Sequence, residues 1–293
     1  MVDATRNALN LWAIQLVPSL LPFMILTNLF SPFLYRYISI NSSKAEFVIY
    51  KFLGLSIQGC YIFLIGQLCG YPLGAKLTGE AYQKGVITKE EGNYLLTICN
   101  QSSPAFLEFY VGTYALQKQI PIYILLILFY FSTFMTSFIT RKIYRPDISC
   151  KHVNSSLPNS VHFFEQLDHS IMDSCITIIR VGGYVLLFAI GSHVLLSIFS
   201  FLGENKYLLV SVLEITNGLS FLKNHFYTHH WYLHFILALT AFGGFCTMAQ
   251  IKGMLIGTSL SIKPYIIGKL IYISVILTMF ILFSKINVLF CFQ

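Results

Sequence analysis

The chain has 293 residues, of which 56% are hydrophobic and only 11% are charged, and its formal net charge is +7. Soluble domains carry about a quarter charged residues, so this composition excludes an ordinary water-soluble domain and predicts a protein of the lipid bilayer. The basic residues lie between apolar segments, which fits the positive bias of cytoplasmic membrane loops and argues against a nucleic-acid partner. The seven cysteines form no C-x-x-C pair, and no metal, cofactor or catalytic motif is readable.

Five stretches are long and apolar enough to predict bilayer-crossing helices, which need roughly 20 residues each. In chain order they are residues 11–34, 92–116, 121–140, 175–201 and 262–283. Two further apolar regions, 46–78 and 207–257, are interrupted and predict broken hairpins. The polar linker 146–170 divides the chain into a first repeat, 1–145, and a second repeat, 171–293. The predicted fold class is an all-α polytopic membrane protein, an inverted-repeat transporter-like bundle with two re-entrant or broken helical hairpins.

The interruptions fall at corresponding places in the two halves. LSIQG (Leu55–Gly59) and then GYPLG interrupt the first half, whereas EITNG (Glu214–Gly218) and then FGGF (Phe242–Phe245) interrupt the second. Setting these segments side by side aligns Gly70 with Gly244. Three crossings in the first half place the second half upside down, whether the interrupted regions re-enter or cross twice. Paired breaks of this kind predict a solute site built from discontinuous helices.

The distribution of lysine and arginine predicts the orientation in the cell membrane. One side would carry Arg36, Lys44, Lys84, Lys89, Arg141, Lys142, Arg145, Lys151 and Lys285. The other side would carry Arg6, Lys118, Lys206, Lys223 and Lys263. Because the richer side is expected in the cytoplasm, the N-terminus is predicted to lie outside.

The segment CGYPLGAK (Cys69–Lys76) combines glycines, a proline and a lysine at the end of an apolar run. A helix that begins after such a break points its backbone amides at a cavity, where they attract an anion or a carbonyl oxygen. Pro72 suits the first turn of that helix, Gly70 and Gly74 permit close approach, and Lys76 adds a cation. Alternatively, the glycines only pack helices together and Lys76 snorkels to the membrane interface.

Polar side chains inside apolar segments provide two further candidates. Asn100–Ser103 form four successive hydrogen-bonding residues before Pro104, which favours an unwound segment that lines a cavity. Glu214 is a carboxylate between apolar residues, and such a group is costly in a membrane. It would hold a coupling cation, take up a proton, or pair with Lys76 or Arg180, unless it lies at the interface. Lys269 is a weaker candidate of the same kind.

The predicted site therefore binds a small molecule and contains no catalytic residue and no metal ligand. Its candidate substrate-binding residues are Gln67, Gly70, Tyr71, Pro72, Gly74, Lys76, Asn100, Gln101, Ser102, Ser103, Arg180, Glu214, Thr216, Asn217, Gly218, Gly243, Gly244 and Gln250. No cofactor is expected, while a proton or sodium coupling ion and a homo-oligomer are left open. The histidine-rich run 225–234 is interpreted as an interfacial aromatic belt rather than a metal site.

Five motifs occur together in a recognisable order: VPSLLPFMI (Val17–Ile25), CGYPLGAK, LLTICNQSSPAF (Leu95–Phe106), LEITNG and FGGFCTMAQ. This set resembles the sporulation integral membrane protein YlbJ family of spore-forming Bacillota, whose members carry the nucleoside-recognition Gate domain. The resemblance extends over nearly the whole chain, from about Leu9 to Lys285. That family is similar in turn to the concentrative nucleoside transporters, which have inverted repeats with two re-entrant hairpins.

The resemblance implies a membrane protein of sporulation that moves a small polar metabolite, in the forespore membrane if the family role holds. Dipicolinate is the solute class associated with the family, and Lys76, Arg180 and the helix N-termini would suit such a dianion. A nucleoside would instead require neutral groups such as Gln67, Asn100, Gln101 and Asn217. A non-transporting protein needed for assembly of the spore envelope is the remaining alternative.

Overall fold

The computed structural model describes residues 2–41, 52–146 and 163–290, and within these ranges every regular element is helical. The elements are α1 (Val2–Leu11), a π-helix (Trp12–Leu16), α2 (Val17–Asn41), α3 (Ile57–Cys69), α4 (Leu73–Gln83), α5 (Lys89–Ile98), a second π-helix (Phe106–Ala115), α6 (Ile122–Tyr144), α7 (Phe163–Ile198), a 3-10 turn (Phe199–Leu202), α8 (Asn205–Ser211), α9 (Ile215–Phe226), α10 (Tyr232–Phe242), α11 (Gly244–Met254) and α12 (Lys263–Phe290).

Four stretches of helix in the described ranges are long and apolar enough to cross a membrane. They are Ile122–Tyr144, Phe163–Leu202, Tyr232–Met254 and Lys263–Lys285. Many of their large apolar side chains face outward, as lipid contact requires. The predicted fold class, an all-α membrane protein, is therefore confirmed.

Each half contains a helical hairpin, a helix interrupted midway and an unbroken helix. Hairpin 1 consists of α3 and α4 and turns at residues 70–72, and hairpin 2 consists of α8 and α9 and turns at residues 212–214. Broken helix 1 consists of α5 and the second π-helix, and broken helix 2 consists of α10 and α11. Helices α6 and α12 complete the two units.

The two hairpins enter the bundle from opposite ends. At one end, the Tyr82 hydroxyl of hairpin 1 lies 2.6 Å from Ser259 Oγ, in the loop before α12. At the other end, Gln119 Nε2, beyond broken helix 1, donates to the Tyr227 hydroxyl beyond hairpin 2 at 2.7 Å. The two hairpins therefore point into the bundle in opposite directions, and both hairpin tips lie inside the bundle.

The predicted helix over residues 92–116 needs correction, because it is two helices separated by a non-helical segment at residues 99–103. Pro104 cannot donate a hydrogen bond to an earlier turn. The backbone carbonyl of Gln101, freed from helical pairing, instead accepts the Tyr71 N–H of hairpin 1 at 3.2 Å.

LSIQG lies at a break, as predicted: residues 52–53 are helical, residues 54–56 are not, and α3 begins at Ile57. Ser56 caps this helix by accepting the Gly59 N–H at 2.9 Å. The predicted broken hairpin 207–257 is instead a hairpin followed by a separate broken helix, so aligning Gly70 with Gly244 pairs a hairpin tip with a helix gap. By the order of elements, GYPLG corresponds to EITNG at the hairpin tips, and CNQSSP corresponds to FGGF in the broken helices.

The assignment of two lysines to the two ends of the bundle also changes. Because broken helix 2 crosses the bundle, Lys263 lies at the end that contains Lys84, and Lys285 lies near the opposite end. Residues 42–51 and 147–162 lie outside the described ranges, so the structure does not place Lys44, Lys151, the start of the 46–78 hairpin or most of the 146–170 linker.

Candidate solute-binding site

The tip of hairpin 1 packs directly against the gap in broken helix 1. Gly70 has a positive φ of 77°, a conformation that favours glycine. A Cβ on Gly74 would lie only 2.1 Å from the Cys99 carbonyl oxygen, and one on Gly66 would lie 2.2 Å from the same atom. Two glycines on facing helices are therefore required for this backbone carbonyl to fit between them.

The tip of hairpin 2 makes the equivalent contact with the gap in broken helix 2. The N–H groups of Phe245 and Cys246 donate to the carbonyls of Val212 and Leu213 at 2.9 and 2.8 Å. Gly243 and Gly244 form the gap with φ values of 83° and 85°. Each interruption thus satisfies its backbone groups through the hairpin of its own half, as buried backbone requires.

The two tip-and-gap pairs meet at the centre of the molecule. Ser102 Oγ in the first gap donates to the Thr240 carbonyl of α10 at 3.3 Å. The Tyr110 hydroxyl of broken helix 1 donates to the Thr216 carbonyl of hairpin 2, also at 3.3 Å. These hydrogen bonds join the two halves around one cavity.

This central cavity, cavity A, has a volume of about 710 Å³. Its polar and aromatic lining residues are Asn10, Tyr71, Ser103, Phe106, Phe109, Tyr110, Tyr114, Glu214, Thr216, Thr247 and Gln250. Glu214 is the one charged residue among the described lining residues. Cavity A therefore combines ring surfaces with hydroxyl and amide groups and a single carboxylate.

The Glu214 carboxylate is held by the helix that it starts. It caps α9, with Oε1 accepting the Thr216 N–H at 3.0 Å and Oε2 accepting the Asn217 N–H at 2.9 Å. The Thr216 hydroxyl also donates to Oε2. Glu214 is 3% exposed, and the expected pairing with Lys76 or Arg180 does not occur, because those cations lie elsewhere. The carboxylate already occupies the N-terminus of α9, which the sequence suggested for an anion.

Lys76 and Arg180 line a second cavity, cavity B, of about 730 Å³ between α4, α7 and the end of α11. Lys76 Nζ lies 2.5 Å from Asp173 Oδ2 and 3.6 Å from Glu80 Oε1. Asn28 Nδ2 donates to the same oxygen of Asp173 at 2.9 Å. Lys76 faces α7 because it lies one turn beyond the tip, so the predicted residues are divided between two cavities.

The other predicted residues either line cavity A or pack at the interruptions. Gly70, Tyr71, Ser103, Thr216 and Gln250 line cavity A. The packing group is Gln67, Pro72, Gly74, Asn100, Gln101, Ser102, Asn217, Gly218, Gly243 and Gly244. That any of the predicted residues binds a solute stays a prediction.

Sequence reasoning missed several residues of the two cavities. Tyr110 and Thr247 look like ordinary membrane-helix residues, and no local pattern distinguishes them. Asp173 carried a usable signal, since it is a carboxylate just before a predicted span. Lys269, a weaker candidate from the sequence, is 2% exposed and donates to Gln101 Oε1 at 2.8 Å.

Comparison with known proteins agrees with the motifs. The chain is 23% identical over 304 residues to the sporulation integral membrane protein YlbJ of Bacillus subtilis strain 168, in an alignment that covers 92% of this chain and 74% of the relative. No protein-family model matches the chain. No solved structure matches it. The predicted resemblance is therefore confirmed: over most of its length this membrane protein is similar to a sporulation integral membrane protein.

Proposed function

We propose that this protein is a transporter of the sporulating cell that moves a small polar solute across the membrane by alternating access. The observation that carries the proposal is the meeting of two hairpin tips and two helix gaps at cavity A. Non-helical backbone at membrane depth is tolerated where it packs in protein or lines a water-filled cavity. Discontinuous helices in inverted repeats are the usual construction of a transporter site. The sporulation role comes from the name of the relative.

The lining of cavity A favours a flat, uncharged polar solute such as a nucleoside. A volume of about 710 Å³ lies within the range of small-molecule sites. Tyr71, Phe106 and Tyr110 offer ring faces for stacking, while Thr247 and Gln250 offer hydrogen bonds. The Glu214 carboxylate would accept a hydrogen bond from a solute hydroxyl or amide and would repel a carboxylate.

A dianion such as dipicolinate is the second candidate, because cavity B contains two cations. Lys76 and Arg180 line it. Asp173 and Glu80 line it as well and lie close to Lys76, so its formal charges balance. A dianion would therefore have to compete with these two carboxylates for Lys76. An uncharged solute in cavity A is for this reason the preferred candidate.

The position of α7 supports alternating access. Val181 and Val185 line cavity A, whereas Arg180 and Tyr184 of the same helix line cavity B. The two cavities therefore lie on different faces of α7 at about the same height. Rocking of the hairpin units against α7 would open and close the two cavities in turn.

Uptake into proteoliposomes tests the proposal directly. We expect the full-length chain to transport uridine above the level of empty vesicles, and uridine to raise its thermal unfolding midpoint in detergent. Transport of dipicolinate without uridine would select the second candidate. If folded protein transported and bound neither compound, nor nucleobases or amino acids, the transporter proposal would be wrong and a role in spore-envelope assembly would be favoured.

A further inference from the structure

Lys269 is a buried lysine about two turns into α12. It lies seven residues into α12, a helix apolar enough to cross the membrane, and its side chain is 2% exposed. A charged group at such a position is costly and marks a functional residue by default. Snorkelling to the membrane surface is excluded here, because its Nζ points inward to Gln101.

The surroundings of Lys269 offer its side-chain nitrogen neutral partners and no carboxylate. Its Nζ donates to Gln101 Oε1 at 2.8 Å. The ring centroids of Tyr71, Tyr265 and Tyr272 lie 6.0, 5.6 and 5.5 Å away, within the range of cation–π attraction. Among the described residues, no Asp or Glu oxygen lies within ion-pair distance of this ammonium group.

The ammonium group is connected to cavity A through the first helix gap. Gln101 belongs to the non-helical segment 99–103, and its carbonyl accepts the Tyr71 N–H at 3.2 Å. Tyr71 lines cavity A and forms the tip of hairpin 1. Lys269 therefore contacts both parts of the interruption, from the side that faces away from the cavity.

In transporters with discontinuous helices, the unwound segment commonly coordinates a free coupling cation. Here a tethered ammonium group already binds that segment. We infer that Lys269 is a built-in cation that holds the first helix gap in its solute-binding arrangement, so that binding needs no sodium ion. The claim that Lys269 supports solute binding rests on the proposed function, whereas the claim that no sodium ion is needed does not.

The first experiment needs no solute. The thermal unfolding midpoint of the purified full-length chain is measured in sodium chloride and in choline chloride at equal ionic strength. We expect the two midpoints to coincide, because the Lys269 ammonium group already binds the gap at Gln101. A saturable stabilisation by sodium and not by choline would overturn the inference.

The second experiment compares Lys269→Met with Lys263→Met, an exposed lysine at the start of the same helix. Met keeps the apolar length of the lysine side chain and removes the cost of burying a charge, so we expect Lys269→Met to fold. Its affinity for uridine should nevertheless fall about tenfold or more, as loss of a charged hydrogen bond predicts. The Lys263→Met control should bind like the wild type.

The outcomes separate the two proposals. Equal uridine affinity in Lys269→Met and the control would overturn the role of Lys269 while leaving transport intact. If the wild type bound no uridine but was indifferent to sodium, the assignment of a nucleoside solute would fail and the cation assignment would stand. If Lys269→Met did not fold, the wild-type salt comparison would still decide the inference.

Discussion

At the scale of single residues, Glu214 shows how one side chain serves both fold and site. Its carboxylate satisfies the first turn of α9 and also lines cavity A. A cap of this kind contributes about 1 kcal/mol to stability. The carboxylate oxygens can still accept a hydrogen bond from a solute in the cavity, and the negative charge of Glu214 would repel an anion.

We predict that Glu214→Gln weakens uridine binding and lowers stability together. The amide has one acceptor oxygen in place of two and carries no charge, so one capping hydrogen bond is lost. The free energy of unfolding should fall by about 1 kcal/mol. Uridine affinity, measured by calorimetry, should fall about tenfold.

Glu204→Gln is the matched control for that variant. Glu204 occupies the equivalent position before α8 but makes no side-chain cap and is exposed. The uridine affinity and the free energy of unfolding of Glu204→Gln should therefore equal those of the wild type. An unchanged uridine affinity in Glu214→Gln would show that the carboxylate is a structural cap alone.

Residue identity predicted several residues that line the two cavities, but it did not predict which of them line the same cavity. Glu214 and Gln250 were expected in the site and do line cavity A, while Lys76 and Arg180 were expected beside them and line cavity B. The direction in which a helical side chain points depends on where the helix starts. A shift of one or two residues at the break moves a lysine from one cavity to the other.

At the scale of elements, the hairpin tips are held by backbone contact that only glycine permits. We predict that Gly74→Ala destabilises the protein by about 1–3 kcal/mol, because its methyl group would lie 2.1 Å from a backbone carbonyl that cannot move aside. Chemical or thermal unfolding in detergent would measure this loss.

Gly183→Ala in α7 provides the contrast. A Cβ there meets no atom within 4 Å, so the substitution should be neutral or stabilise the helix by about 0.5–1 kcal/mol. If the two variants had equal stability, the close packing of hairpin 1 on the Cys99 carbonyl would be wrong.

The ion pair between Lys76 and Asp173 links hairpin 1 to α7 across cavity B. We predict a coupling free energy of about 1 kcal/mol between these residues, since one partner is half-exposed and screened. Unfolding of Lys76→Met, Asp173→Asn and the double variant would measure it. Glu80→Gln should show weaker coupling to Lys76, because its oxygen lies 3.6 Å away.

If the losses of stability in Lys76→Met and Asp173→Asn simply added in the double variant, the ion pair would not link hairpin 1 to α7. With the predicted coupling, the single variants should also raise the reactivity of a cysteine placed at Gly183 in cavity B. That labelling measurement reports opening of the cavity and does not depend on global stability.

The interruptions themselves were predictable, but their correspondence between the halves was not. GYPLG, CNQSSP, EITNG and FGGF each contain residues that end helices, and each lies at a break in the structure. LSIQG also lies at a break, since residues 54–56 are non-helical and Ser56 caps the helix that follows. Short polar clusters within apolar sequence indicate that a helix ends, without showing whether the chain turns back or continues.

At the scale of the whole molecule, the positive residues still favour one end of the bundle as cytoplasmic. Lys263 now joins Lys84, Lys89, Arg141 and Lys142 at that end. Lys118, Lys206, Lys223 and Lys285 lie towards the opposite end. The correction leaves the predicted orientation unchanged, with the N-terminus outside.

We predict opposite labelling at the two ends in intact cells. In a background without native cysteines, a membrane-impermeant maleimide should react with Glu204→Cys from outside and with Lys84→Cys only after permeabilisation. Both positions are exposed, so access to the reagent decides the result. The reverse pattern would place the N-terminus in the cytoplasm.

Composition and hydropathy were sufficient for the fold class, because the bilayer requires long apolar helices. They could not show how the halves interlock. Contacts such as Ser102 with Thr240 join residues far apart in sequence, and no local pattern encodes them. The shape of the central cavity therefore became visible only in three dimensions.

The packing of α12 on broken helix 1 has a consequence for biosynthesis. A Cβ on Gly268 would lie 2.6 Å from Thr97 Cα, and the neighbouring Lys269 reaches Gln101. Helix α12 thus packs on a gap whose residues are translated much earlier. Until translation passes residue 269, hairpin 1 is the element of the same half that covers the unwound segment, and its contact with α12 is still missing.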